Sequence, residues 1–183
     1  MAQGFDELIQ FVDDFNEKLL SATIIAGQGL LGDLLNRVHR EGRATDGSPI
    51  GSGGYSRTPF YAAMDDFINR GSIPKDKVSK NGKWVQLPEG YKSFREYSGR
   101  QTDFVDLKYT GTLQNSMLLV QTENGFAIGY PQQNQPGDEG TREGTDPATL
   151  SLELEERYGK DIFAASQSEI DNFLGDIIYE LNR

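Results

Sequence analysis

An Asn-Gly pair set between two short apolar runs constrains this chain more than any other feature. Leu118 to Thr122 and Phe126 to Tyr130 flank Glu123-Asn124-Gly125. Asn-Gly in that setting is a strong hairpin signal, because both residues accept positive φ. Just upstream, Thr110-Gly111 interrupts an extended segment, Phe104 to Tyr109, and Leu113 to Met117 has room for one or two helical turns. The expected unit is strand, Thr-Gly-x-Leu-x-x-Ser step, strand, Asn-Gly turn, strand. It contains no nucleophile beside a base and no metal-ligand spacing. Its residues are read as structural, with Gly111, Asn124 and Gly125 as the turn positions.

The order of these elements resembles the neck proteins of tailed bacteriophages, the tail-completion or minor-tail (virion morphogenesis) group. There a Thr-Gly-x-Leu-x-x-Ser step leads into a hairpin ending in a sequence such as Ile-Gly-Tyr, here Ile128-Gly129-Tyr130. The block Glu41 to Gly51 with Tyr55 is similar to the place where a helix ends and an extended arm begins in that group. The resemblance covers about Arg37 to Tyr130, plus Arg157-Tyr-Gly-Lys-Asp-Ile-Phe163. The chain departs from the group at its end, where an acidic helix replaces a Pro-rich, small-residue closure. The resemblance implies a structural virion protein, a ring-forming subunit at the portal–tail junction, made in the host cytoplasm. Its partners would be copies of itself and the portal or adjacent connector and tail proteins. DNA would pass nearby without specific binding, and no membrane would be involved.

At 183 residues the chain is read as one domain with its own core and two extended arms, about 43–59 and 131–147. Its 36% hydrophobic residues and 21 glycines point to a modest core and many loops. No uninterrupted run reaches the roughly 18 apolar residues of a membrane span, and Met1 to Asp6 lacks the basic start of a secretory signal. The absence of cysteine excludes disulfides and thiolate metal sites. Net charge is −10 and uneven: −5 over Met1 to Asn69, +4 over Arg70 to Tyr109, −8 over Gly137 to Arg183. Only the middle segment resembles a basic stripe, so the pattern suits docking between copies or onto partners better than a nucleic-acid coat. The acidic end is the candidate lining of a DNA channel.

Helical spacing of Phe5, Leu8, Ile9, Val12, Phe15 and Leu19, then of Leu30 to Val38, predicts two helices or one bent helix over Phe5 to Glu41, closed by Gly42. Between the two apolar sets, Gly27-Gln-Gly-Leu-Leu-Gly32 matches G-x-G-x-x-G after the strand-like Ser21 to Ala26, with Asp46 downstream. A dinucleotide loop requires further βαβ units. None follows, so a glycine-softened helix junction is preferred. The Gly/Pro-rich arm Arg43 to Pro59 is expected to bury little. Pro59 to Ile68 is expected to be a short helix, as is Glu89 to Tyr97, closed by Gly99. Asp146-Pro147 opens a helix to about Tyr158, and Ser166-x-x-Glu169 is a capping box that starts a last helix with Ile170, Phe173, Leu174, Ile177, Ile178 and Leu181 on one face. The fold class is α+β: N-terminal helices, a small antiparallel sheet with its hairpin at 118–130, and C-terminal helices.

Ionisable residues offer little chemistry. His39, the only histidine, stands at a helix end without an acidic orienter and is read as solvated. Asp65-Asp66 and Glu153, Glu155 and Glu156 are read as exposed helix acids. Asp138, Glu139, Glu143 and Asp146 lack EF-hand spacing. No catalytic, metal, cofactor or nucleic-acid-binding residue is assigned. Lys75, Lys77, Lys80 and Lys83 around Trp84, together with Tyr55 and Arg57, are the expected subunit contacts, with Trp84 as the anchor of a docking loop. The alternative is a small cytosolic enzyme or regulatory domain with an unrecognised pocket.

Overall fold

Thirty-five residues, Ala2–Asn36, form a single α-helix, α1, in the computed structural model, which describes residues 2–67, 70–108, 111–122, 125–130 and 147–183. The helix runs through Gly27 to Gly32 without a break, so the strand at Ser21 to Ala26, the dinucleotide loop and the helix junction are all corrected. A phosphate loop needs free backbone N–H groups; here they serve the helix. Gly27 has a packing role instead. A Cβ there would lie 2.8–2.9 Å from Leu119 and Phe126, so the missing side chain lets a hairpin sit against the helix. One wide turn, Arg37–Glu41, extends α1, and Gly42 at φ 65° ends it as expected.

The segment beyond Gly42 overturns the expectation of an arm that buries little. Asp46 Oδ1 accepts the Ser48 N–H and hydroxyl, Gly47 takes φ 78°, and Arg43 pairs with Pro49 across the turn. That turn points Ala44 and Ile50 inward. With Tyr55 they join Leu34, Val38, Val105, Met117 and Ile162 in the main core. The second expected arm, 131–147, lies outside the described residues except for Pro147, the first residue of a helix.

Pro59 to Ile68 is not a helix. Phe60–Ala63 forms β1, paired antiparallel with β2, Trp84–Leu87, and a 3-10 turn at Met64–Asp66 follows. A four-residue apolar run fits either periodicity. The alternation of β2, with Val85 and Leu87 buried and Trp84 and Gln86 exposed, decides for a strand. These strands add a second small sheet and a second core: Ala62, Val85 and Leu87 close on Phe67 and on Phe94 of α2, Gly90–Tyr97. Tyr91 joins the two cores, 5.6 Å by ring centroids from both Tyr55 and Phe94.

The step and hairpin form in the expected order. Gly111 takes φ 93° before α3, Thr112–Ser116, and β3, Leu118–Thr122, pairs antiparallel with β4, Gly125–Gly129. Gly125 has φ 152°; Glu123, Asn124, Tyr109 and Thr110 lie outside the described residues. Phe104 to Lys108 is irregular rather than a strand, with Leu107 at φ 50°. Helix α4, Pro147–Tyr158, leads to Gly159 at φ 62°, and α5, Gln167–Asn182, opens with the Ser166/Glu169 capping box. Helix α5 runs back along α1: Glu169 meets Arg37 at one end, and Lys18 Nζ donates to the Leu181 carbonyl at the other. Phe126 of the hairpin packs edge-on against Phe173 of α5 at 5.5 Å.

Candidate interaction surfaces and the polar centre

The residues proposed for contact and for solvation are distributed differently from the sequence reading. Tyr55 is a core residue, 7% exposed. Its hydroxyl donates to Asp106 Oδ1 at 2.8 Å and accepts the Asp106 N–H, and the Arg95 guanidinium lies 4.6 Å above its ring. Arg95 is itself 1% exposed and uses all three nitrogens: Nη2 to Asp106 Oδ2, Nη1 to the Lys108 carbonyl, Nε to the Gln101 carbonyl. Asp106 Oδ1 also accepts the Lys108 N–H. Every charge in this centre is matched and hydrogen-bonded, the condition under which buried ions are tolerated. Burial pushes the Tyr55 phenol upward. Such a network ties the chain around Tyr55, Gln101, Asp106 and Lys108 to α2.

His39 is buried, not solvated, at 4% exposure. Its Nδ1 lies 2.8 Å from the Asp106 carbonyl, which can only accept, so the ring hydrogen is on Nδ1. Nε2 has no hydrogen-bond partner among the described residues. Burial lowers the His39 pKa, against smaller upward contributions from the Asp106 carbonyl and carboxylate. Glu155 is likewise not a solvated acid: Oε1 accepts the N–H groups of Ile162 and Phe163. Asp65 is exposed as expected, paired with Arg70 at 2.6 Å.

A second buried arginine was not singled out in the sequence. Arg37 Nε donates to Glu169 Oε1 at 2.9 Å, and its Nη atoms reach the carbonyls of Arg43, Ile162 and Ala164. Glu169 Oε2 meanwhile takes the Ser166 N–H. The capping box flagged Glu169, but no local pattern marks Arg37, whose partners Ile162, Ala164 and Glu169 are more than 120 residues away, or Arg95, whose partners lie 6 to 13 residues on in irregular chain.

The basic patch is a surface. Trp84 is half exposed at the start of β2, on the same face of the sheet as the exposed Tyr61, whereas Phe60 pairs with Leu87 at the far end of the two strands. A turn brings the lysines to it: Ser79 Oγ accepts the Trp84 N–H, and Asn81 Oδ1 accepts from Lys83 N–H and the Ser79 hydroxyl. Lys75, Lys80 and Lys83 are exposed, whereas Lys77 is half-buried and pairs with Asp76 at 3.1 Å. Arg57 is exposed on the segment before β1. A shallow depression lined by Met64, Asp65, Arg70, Lys83 and Trp84 adjoins the patch.

The other open surface is the first half of α1, exposed from Phe5 to Leu19. Phe5–Glu41 is long and apolar enough, by length and composition, to cross a membrane. Polar and acidic residues interleave its apolar ones, so no uninterrupted apolar run reaches that length. The second half of that helix is packed against α5 and the hairpin. Among the described residues no group of three His, Asp or Glu side chains is placed to hold a metal ion.

No protein-family model, curated protein or solved structure matches the chain.

Proposed function

We propose that this chain is a structural virion protein of a tailed bacteriophage, a ring-forming subunit at the portal–tail junction. The observation that carries the reading is the Gly111 step into α3 and the β3–β4 hairpin, the unit in which the sequence resembles the neck group. Two further features support it. The ionisable residues nearest to a catalytic arrangement, Arg95, Asp106 and Tyr55, are saturated with internal partners. The exposed aromatic and basic residues around Trp84 have the make-up of an interface anchor.

Ring closure uses a heterologous contact, one patch against a different one, and segments of opposite sign favour it. The net −8 of Gly137 to Arg183 suits a wall passed by DNA, since each lysine or arginine on such a wall would hold phosphate. The Trp84 patch then faces a neighbour or the portal. Mass spectrometry of purified particles tests the assignment: the chain is expected in stoichiometric amounts at the neck. Its presence in infected-cell cytosol and absence from particles would sink the proposal. A map of the assembled ring with Lys75, Lys80 and Lys83 lining the bore would reverse the assignment of the two surfaces.

A further inference from the structure

Along α1 the residues Phe5, Leu8, Val12, Phe15 and Leu19, then Ala22 and Ala26, alternate spacings of three and four. That is the a/d seam of a heptad repeat. The seam has two different fates. Ala22 and Ala26 are 3% and 1% exposed, covered where α5 and the hairpin pack on the helix. The stretch before them is bare, from Phe5 at 67% exposure to Leu19 at 36%. Helix α5 ends at Asn182, beside Lys18, so about 22 Å of α1 extends past it at 1.5 Å per residue.

We infer that this bare seam pairs with the same Phe5–Leu19 segment of a second copy of the chain. The inference rests on the proposal that the protein works as a multi-copy assembly, and it names the element by which free copies associate, apart from the heterologous contact that closes the ring. The seam is continuous with one that is already closed inside the chain by a helix, so a helix in line with α5 completes it. The charges decide which helix. Asp6 and Asp13, Glu7 and Asp14, and Glu17 occupy the outer b, c and f positions. Gln10, also outer, donates to Asp14 at 2.7 Å and ties that face to itself.

The flanking e and g positions, where like charges would oppose pairing, hold Ile9, Phe11, Asn16 and Lys18, with no acid. Two copies therefore meet without repulsion, and Ile9 and Phe11 widen the apolar face enough for a bundle of more than two. A membrane surface is a poor match, because interfacial helices carry a lysine- and arginine-rich polar face. This segment carries five acids and one lysine. A basic partner is a poor match too, since the acids point away from the seam.

The chain lacks cysteine, so single-cysteine variants report the contact cleanly. Wild-type protein should sediment at a multiple of 20.3 kDa. Val12→Glu combined with Phe15→Glu should reduce it to one chain that keeps its helical circular dichroism, because both side chains are about half exposed within the chain, and its thermal midpoint should lose the concentration dependence of the wild type. Val12→Cys should form a disulfide-linked dimer on oxidation, and Glu17→Cys, on the outer face, should not. A wild-type monomer at all concentrations overturns the inference, whether it then floats with phosphatidylcholine/phosphatidylserine vesicles or gains mass only on adding portal protein. A double variant that keeps the wild-type mass overturns it as well. Particle incorporation is read separately: a monomeric chain found in particles removes the seam and leaves the virion role. An associating chain absent from particles does the reverse.

Discussion

The Arg37 guanidinium and the Glu169 carboxylate meet at 2.9 Å across 132 residues of sequence, both side chains under a tenth exposed. Glu169 also closes the cap of α5, and Arg37 also collects three loop carbonyls, so one contact fixes the end of α1, the turn after it and the start of α5. Replacing either partner strands the other in the interior. Arg37→Ala and Glu169→Ala should each cost about 3–5 kcal/mol, the range for breaking a buried pair. Chemical denaturation at neutral pH measures this. A loss below about 1 kcal/mol would place the pair among surface bridges in effect.

Two glycines of α1 should respond in opposite directions. Gly32 has nothing near the position of a Cβ, so Gly32→Ala should stabilise the helix by up to about 1 kcal/mol. Gly27→Val would drive a branched side chain into Leu119 and Phe126 and lift the hairpin from the helix. It should destabilise by about 1–3 kcal/mol, as overpacking does. Thermal unfolding of the two variants side by side tests the sign.

His39 makes stability depend on pH. Its folded-state pKa is lowered from 6.5, chiefly by burial. Above pH 6.5 both states are neutral and the full stability is present. As pH falls from 6.5 toward the folded pKa, the unfolded chain takes up a proton that the folded ring resists, and stability is lost. Protonation would also place a charged N–H at Nε2, which has no acceptor among the described residues. Comparing unfolding free energies of the wild type and His39→Gln between pH 8 and 5 isolates this residue. The difference between them should shift against the wild type on acidification; a constant difference would refute the assignment.

Glu155 serves through its acceptor atom, since Oε1 takes two backbone N–H groups. Glu155→Gln keeps a carbonyl oxygen there and should be mild. Glu155→Ala leaves both groups bare and should cost about 1–3 kcal/mol. Equal effects in the two variants would point to lost charge rather than lost hydrogen bonds.

The legible parts of the fold were those written locally. The Ser166/Glu169 box, the Gly111 step, the flanks of the Asn124-Gly125 turn and the apolar spacing of α1 each carry their cause within a few residues. What went unread depends on distant partners. Phe60–Ala63 is a strand because Trp84–Leu87 is available to pair with it. Tyr55 and His39 are interior because Asp106 gathers them, and Asp106 is stable there because Arg95 faces it. A single histidine at the end of a helix gives no local sign that a loop 67 residues onward will cover it. Among the proposed contact residues, the same logic removes Tyr55 and keeps Trp84, whose side chain lies on the outward face of a two-stranded sheet.

Because α1 is closed by a helix so far downstream, a ribosome adding 5–20 residues per second takes on the order of ten seconds to supply it. For that interval the nascent chain carries a long apolar helix-former without its helical partner, and the bare first half has no cover from within the chain at all. Contacts of such high sequence separation also slow folding once the whole chain is free. The segment that would join copies in a finished assembly is therefore also the one most exposed to chaperones and to premature association during synthesis.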